Sequence, residues 1–277
     1  MNFIRLKIAK LWILLLSDAR LESNARVSFY GKYLWLFFFC VIYLFLFKTA
    51  LSRSVISLDH YQIAFPLFLI SGIALLRLVI ACTTSVDQVI VNLKQSGIIQ
   101  WLLITPTQIN EIILVQTIWR FFVGFTELTA IVLFANILIG TPIKPFFQVS
   151  VFYVYILTSI SYIGLGMALQ SMILLLRKGS FLCTITYQVS IVLGGVYFPT
   201  YLLPKFIFSV SQLLPITHAL KIIRYAITHT GHVQQPWTVF FPLLAMSFVY
   251  FGIGFFTLQK SLAYTRWNGS LLKDTND

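Results

Sequence analysis

The segment from Gly194 to Arg224, GGVYFPTYLLPKFIFSVSQLLPITHALKIIR, constrains this chain more than any other. It is almost as apolar as a membrane span, yet Pro199, Pro204 and Pro215 interrupt it. Each proline lacks a backbone N–H and clashes with the preceding helical turn, so one straight helix through all three would forfeit hydrogen bonds that lipid does not replace. A pair of short, broken helices is expected instead. Irregular backbone survives at membrane depth only where protein buries it or water lines it, which points to a re-entrant element beside a pathway.

Composition extends the membrane setting to the whole chain. Of 277 residues, 58% are hydrophobic and 10% charged, and the mean hydropathy is +0.88. Too few polar side chains remain to cover a water-soluble globule of this size. The net charge of +12 does not indicate nucleic acid, because Lys and Arg sit along the ends of apolar runs rather than in one basic face. Cys40, Cys82 and Cys183 are odd in number and lack CxxC spacing, so they support neither a disulfide framework nor a zinc site and read as packing residues. Aromatic residues make up 16% of the chain, which suits interfacial belts, the simpler reading, or a wall along which apolar groups slide.

From the N-terminus, Arg5, Lys7 and Lys10 precede a short apolar run, Trp12–Leu16. The run is too short for a secretory signal, and Asp18 and Arg20 stand where small cleavage-site residues would be needed. Ile4, Ile8, Leu11 and Leu15 recur at helical spacing with the lysines between them, the pattern of an amphipathic helix lying on an anionic membrane surface. Span one is Tyr33–Ala50, span two Tyr61–Ser85, span three Glu111–Ile139, span four Phe146–Leu176, span five Phe181–Phe198 and span six Trp237–Leu258. Gly164, Gly166 and Ala168 in span four suit close helix approach. Between spans two and three, Val86–Asn110 is too polar to cross and too apolar for a free loop. It reads as an interfacial amphipathic helix that Thr105-Pro106 stops, either a connector resting on lipid or a lever for an external motor.

Six spans place both termini on one side. That side carries Arg5, Lys7, Lys10, Arg20, Arg26, Lys32, Lys94, Arg177, Lys178, Lys260, Arg266 and Lys273, twelve in all. The other carries six, Lys48, Arg53, Lys144, Lys205, Lys221 and Arg224, so the positive-inside rule puts both termini in the cytoplasm and the Gly194–Arg224 element on the outer face.

Arg77, Arg120 and Glu127 are the ionisable groups expected well inside spans, where charge is costly unless paired or wet. Arg120 and Glu127 are about two helical turns apart on span three. A structural pair between Glu127 and Arg77 is one reading, and a polar lining that meets a charged substrate group is the other. His229 and His232 lack a nearby carboxylate or cysteine and read as loop residues. No GxSxG, HExxH or GxxxxGK[ST] motif occurs, so neither a catalytic centre nor a nucleotide-binding loop is supported, and a lone Glu127 is poor material for a proton relay. Energy for transport would have to come from another subunit.

Two stretches resemble the membrane subunit of an ABC-2 type transporter, the permease class that pairs with a separate ATPase. SGIIQWLLITPTQINEIILVQTIW, Ser96–Trp119, is similar to the family's coupling segment, in which a short helix, a Thr-Pro turn and the start of span three follow one another. The Gly194–Arg224 stretch resembles its order of small residues and Phe-Pro, then Leu-Pro, then a second Leu-Pro with Thr-His-Ala after it, and a basic residue. One departure is that Asn92, Lys94 and Gln95 precede Gly97, with Gln100 after it, where the family often has acidic residues.

The resemblance implies ATPase-coupling residues at Gln95, Ser96, Gly97, Gln100, Trp101, Thr105 and Pro106. It also implies a homodimer with two ABC ATPase subunits that bind the ATP and Mg, leaving no cofactor in this chain. The expected fold is an all-α membrane protein forming one transmembrane permease domain over residues 1–277. An N-terminal interfacial helix and connection cover 1–31, a six-span core 32–258 and a cytoplasmic tail 259–277. Gly194, Gly195, Tyr197, Phe198, Pro199, Tyr201, Pro204 and Pro215 form the expected outer gate and re-entrant element. The expected function is non-catalytic: export of a lipid-like, glycan-linked or amphipathic substrate across the inner or plasma membrane. The alternative is a non-transporting scaffold or sensor on the same fold.

Overall fold

The protein is described by a computed structural model over residues 31, 33–38, 41–42, 65–95, 109–141, 143–176, 181–228 and 237–267. Seven helices follow in order: α1 Phe65–Gln95, α2 Ile109–Ile139, α3 Val149–Leu176, α4 Phe181–Leu193, α5 Lys205–Ser211, α6 Pro215–Thr228 and α7 Trp237–Trp267. Short 3-10 turns occupy Lys144–Phe147 and Thr200–Leu202, and residues 33–38 are also helical. The described residues contain no strand.

Among the described residues, four helical segments are long and apolar enough to cross a membrane: Phe65–Ser85, Val115–Ile139, Val149–Leu175 and Val239–Thr265. A fifth crossing results if the bent pair α5–α6 counts as one. These helices are apolar on all sides, as lipid demands of the outward face and packing of the inward one. Several hydroxyls in the spans return to their own helix, Thr83 to the Val79 carbonyl at 2.8 Å and Thr158 to that of Val154 at 2.7 Å. No polar atom is then left facing hydrocarbon at those positions.

Small residues set the register. A Cβ at Gly164 would sit 2.5 Å from the Tyr250 carbonyl and the Phe251 nitrogen, and one at Gly254 would collide with the Gly164 carbonyl. About two turns further towards the C-termini, the Ser261 hydroxyl donates to the Ser171 carbonyl at 3.0 Å. Later residues of α3 therefore meet later residues of α7, so the two helices run parallel. Along α1 and α2 the order reverses: Gly124 abuts Ala81 and Leu78, while Glu127 is within electrostatic reach of Arg77. Those two helices are antiparallel. Gly166 lies against the Thr83 backbone, joining α3 to α1, so the glycines expected to admit a neighbour do so on two sides. The main core, including Leu75, Leu78, Leu128, Tyr155, Ile216 and Leu220, forms where α1, α2, α3 and α6 converge.

Several expected boundaries move. Span five was expected to reach Phe198, but α4 stops at Leu193 after 13 residues. It stops because Gly195 takes φ +77°, a left-handed conformation that ends a helix, while Gly194 wedges between the Ser190 carbonyl and Ile216. At 1.5 Å per residue α4 is about 20 Å long, short of the roughly 30 Å hydrocarbon core. The separate interfacial helix expected from Val86 is not separate at its start, because residues 86–95 continue α1 without a break. Nothing in Thr83–Gln95 breaks a helix, and backbone continuity outweighs the change in polarity. Span six runs past Leu258 to Trp267, taking in residues expected in the tail. Residues 1–30, most of span one, residues 96–108, and His229 and His232 lie outside the described residues. The count of six spans rests partly on them.

The α3–α7 contact can be tested within a single helix. Gly254→Ala should lower the thermal unfolding midpoint in detergent, since overpacking typically costs about 1–3 kcal/mol. Gly252→Ala, where an added Cβ meets nothing within 4 Å, should leave the midpoint unchanged or raise it. Equal effects from the two substitutions would show that the helices do not approach at Gly254.

Candidate functional site

The proline-broken stretch folds as two helices bent by 86° at a break of three residues, Gln212–Leu214. Pro204 is the N-cap of α5 and Pro215 the first residue of α6, positions where the missing N–H has no intrahelical partner to lose. A helix end leaves its last carbonyls without intrahelical donors, which is costly away from water. Here the bend supplies the donors. The Thr217 hydroxyl donates to the Ser211 carbonyl at 2.7 Å, and His218 Nε2 lies 2.8 Å from the Gln212 carbonyl, placed to donate when it carries the proton. Tyr250 of α7 donates its phenol to the Leu213 carbonyl at 2.8 Å, and the backbone N–H of Thr217 reaches Leu214 at 3.1 Å. Lys221 then fixes the Gln212 side chain through its Oε1 at 2.7 Å. The run LPITHALK is thus the sequence of a rigid bend, with Thr217 and His218 serving the helix that precedes them.

The two arms differ in surroundings. Helix α6 is buried over most of its length, from Pro215 through Ile227, whereas α5 is largely exposed, with Phe206 81% accessible and the preceding Leu202 64%. One arm is built into the core and the other lies on its surface.

Arg224 holds the buried arm. Its side chain is 3% exposed, and its Nη2 donates to the Gly195 carbonyl at 2.8 Å, to that of Phe68 at 3.2 Å and more weakly to that of Val196 at 3.4 Å. Nε reaches the Ser71 hydroxyl at 3.4 Å, and the guanidinium carbon lies 3.4 Å from the centre of the Phe68 ring. Three segments meet on this one group: the start of α1, the glycine turn after α4, and α6. Directly beside it, a Cβ at Gly72 would come within 2.5 Å of the Val196 carbonyl, so α1 and the turn touch backbone to backbone.

Of the expected gate residues, Gly194, Gly195, Pro199 and Pro215 are buried, Tyr197 and Phe198 half-buried, and Tyr201 and Pro204 exposed. Tyr197 is also within electrostatic reach of Arg77. Glu127 is buried on α2, and Arg77 on α1 lies in its field while stacking over the Trp35 ring, 4.9 Å from the centroid. Arg120 is half-buried on α2, two turns from Glu127. Gln95 ends α1, and Ser96, Gly97, Gln100, Trp101, Thr105 and Pro106 lie outside the described residues.

Sequence reasoning noted the Thr217-His218 motif and a basic residue after it but gave Thr217, His218, Lys221 and Arg224 no role in the site, and it counted Arg224 and Lys221 as loop charges. The signal for Arg224 lay in its neighbours. Ile216, Ala219, Leu220, Ile223 and Ile227 around it recur at helical spacing, which places position 224 inside a buried helix rather than in a loop.

Removing the bend's donor should weaken it measurably. Thr217→Val, nearly the same shape without the hydroxyl, leaves the Ser211 carbonyl with the Leu214 N–H as its donor and should destabilise the protein by about 0.5–1.5 kcal/mol. Thr217→Ser should restore most of the loss. Thermal unfolding in detergent micelles checks both, and equal midpoints for the valine and serine variants would contradict the capping role.

Among curated proteins, none matches the chain. The family model described as ABC-2 type transporter matches residues 13–228, a range that contains the Ser96–Trp119 segment, the whole Gly194–Arg224 element and all helices but α7. With several apolar helices long enough to cross a membrane and this match over most of its length, the chain belongs to the ABC-2 type transporter family as a multi-pass membrane permease subunit of an ABC transporter, a class that works with ABC ATPase partners.

Proposed function

We propose that this permease is the membrane half of an exporter that moves a lipid-like, glycan-linked or amphipathic substrate outward by alternating access. In this reading two copies form a homodimer, two ATPase subunits bind the ATP and Mg, and the chain itself performs no catalysis. It sits in the inner or plasma membrane with six spans and both termini cytoplasmic. The observation that carries the reading is the asymmetric re-entrant pair. A buried arm anchored to the core beside an exposed, aromatic-rich arm gives an element that can part from its surroundings at one face of the membrane while the rest stays packed.

The roles follow from chemistry. Tyr197, Phe198 and Tyr201 would offer aromatic surface at the exit, suited to apolar tails, with Tyr hydroxyls towards the wetter end. Gln95, Ser96, Gly97, Gln100, Trp101, Thr105 and Pro106 would meet the ATPase. Movement there reaches both neighbouring spans, because α1 and α2 are the helices that flank the segment. Arg77 and Glu127 would balance each other inside the bundle, which lowers the cost of charge at depth.

Two measurements test the proposal. In vesicles holding the permease and its ATPase, a fluorescent phospholipid and an isoprenoid-linked glycan serve as transport probes. Gly97→Glu or Trp101→Glu should cut ATP-driven movement of the accepted probe at least about tenfold while hydrolysis continues, as loss of coupling requires. Unchanged transport would retire the coupling assignment. Separately, a cysteine at Tyr201 should be labelled by an impermeant maleimide from the outer side. Labelling from the cytoplasmic side alone would remove both the topology and the gate.

A further inference from the structure

The re-entrant arm and the ATPase-facing end of the permease are joined by one helix. From Ser71, which accepts the Nε–H of Arg224, α1 runs without a break to Gln95, immediately before the coupling segment, a distance of about 36 Å at 1.5 Å per residue. Its only proline, Pro66, stands in the first turn, where it does not kink the helix. An unbroken helix can transmit a rigid-body displacement from one end to the other rather than absorb it. At its outer end, α1 offers Phe68 and Ser71 to Arg224 and Gly72 to the Val196 backbone.

We infer that Arg224 is a positioning residue for transport: it ties the glycine turn and the re-entrant arm α6 to the outer end of α1, so that displacement of the coupling segment reaches the outer gate through a single helix. The inference rests on the alternating-access reading above. Arg224 touches no substrate in this scheme. Its planar fork bridges three backbone carbonyls and one hydroxyl over the Phe68 ring, a geometry that a lysine's single ammonium does not reproduce. Without the bridge, the turn and α1 lose these hydrogen bonds, and the backbone contact at Gly72 resists compression but not separation.

Nucleotide-dependent labelling separates transmission from mere support. The full chain carrying Tyr201→Cys is assembled with its partner ATPase in lipid nanodiscs, where reagent and nucleotide reach both faces, and the same complex without that cysteine gives the background. The maleimide labelling rate is compared between nucleotide-free and ATP–vanadate complexes. The expected difference is about fivefold or more in the parent, the lower end of ordinary coupling. Adding Arg224→Lys should shrink it below about twofold while ATP hydrolysis stays within about twofold of the parent. Ser71→Ala, which keeps Arg224 and its carbonyl bonds, should give an intermediate loss and serves where Arg224→Lys does not fold. An undiminished difference in folded Arg224→Lys or Ser71→Ala complexes overturns the linkage, as does a parallel collapse of ATP hydrolysis, which would mark a purely structural role. No nucleotide effect in the parent overturns the alternating-access reading and the linkage with it.

Discussion

A guanidinium buried away from water either finds acceptors for its donors or destabilises the segment that carries it, and the arrangement around Arg224 answers that requirement. An arginine at the centre of a membrane helix costs about 2.5–3.5 kcal/mol on insertion scales. A hydrogen bond from a charged group contributes about 1.5–3 kcal/mol, and a desolvated cation–π contact about 2. The two shorter Nη2 bonds, to Gly195 and Phe68, together with the Phe68 ring offset a cost of that order. The acceptors exist because the chain is irregular just there. Gly195 turns out of the helical path and presents its carbonyl, and Phe68 lies in the first turn of α1. The broken backbone and the buried charge need each other.

Elsewhere the bundle is held by contacts that suit a solvent as apolar as the side chains. Lipid removes the hydrophobic drive between helices, so association depends on close packing and on polar groups that cross the interface. Gly164 against Gly254, Gly166 against Thr83 and Gly124 against Ala81 bring three helix pairs to backbone distance, and Ser261 adds a hydrogen bond between α3 and α7. The remaining surface is apolar and faces outward, most of all on α7, where Phe241, Phe248 and Phe256 are each roughly 70% exposed. Helix α7 thus meets the bundle through small residues flanked by the buried Leu258 and Leu262, and turns bulky aromatics outward.

Placing Arg224 in the core also alters the charge balance behind the proposed orientation. It no longer counts among the outer-loop charges, so twelve basic residues on the proposed cytoplasmic side stand against five. The asymmetry widens. Arg77 behaves similarly on a smaller scale, with the Trp35 ring and the field of Glu127 accommodating a charge that hydropathy alone marks as an anomaly in span two.

The sequence by itself determined the all-α membrane class, the rough positions of four long apolar helices, the breaks at Pro204 and Pro215, and the use of Gly164 and Gly166 at helix contacts. Each follows from a local rule: length of an apolar run, a missing N–H, a missing Cβ. Only tertiary structure decided the rest. The end of α4 at Leu193 depends on Ile216 packing over Gly194, the persistence of α1 to Gln95 overrides a change in polarity, and α7 continues to Trp267 because Ser261 and Leu262 find partners on α3. The identity of Arg224 as an anchor was least legible of all. Its acceptors lie at sequence separations of 28 to 156 residues, and no periodicity or spacing rule connects positions that only the folded backbone brings within 3.4 Å.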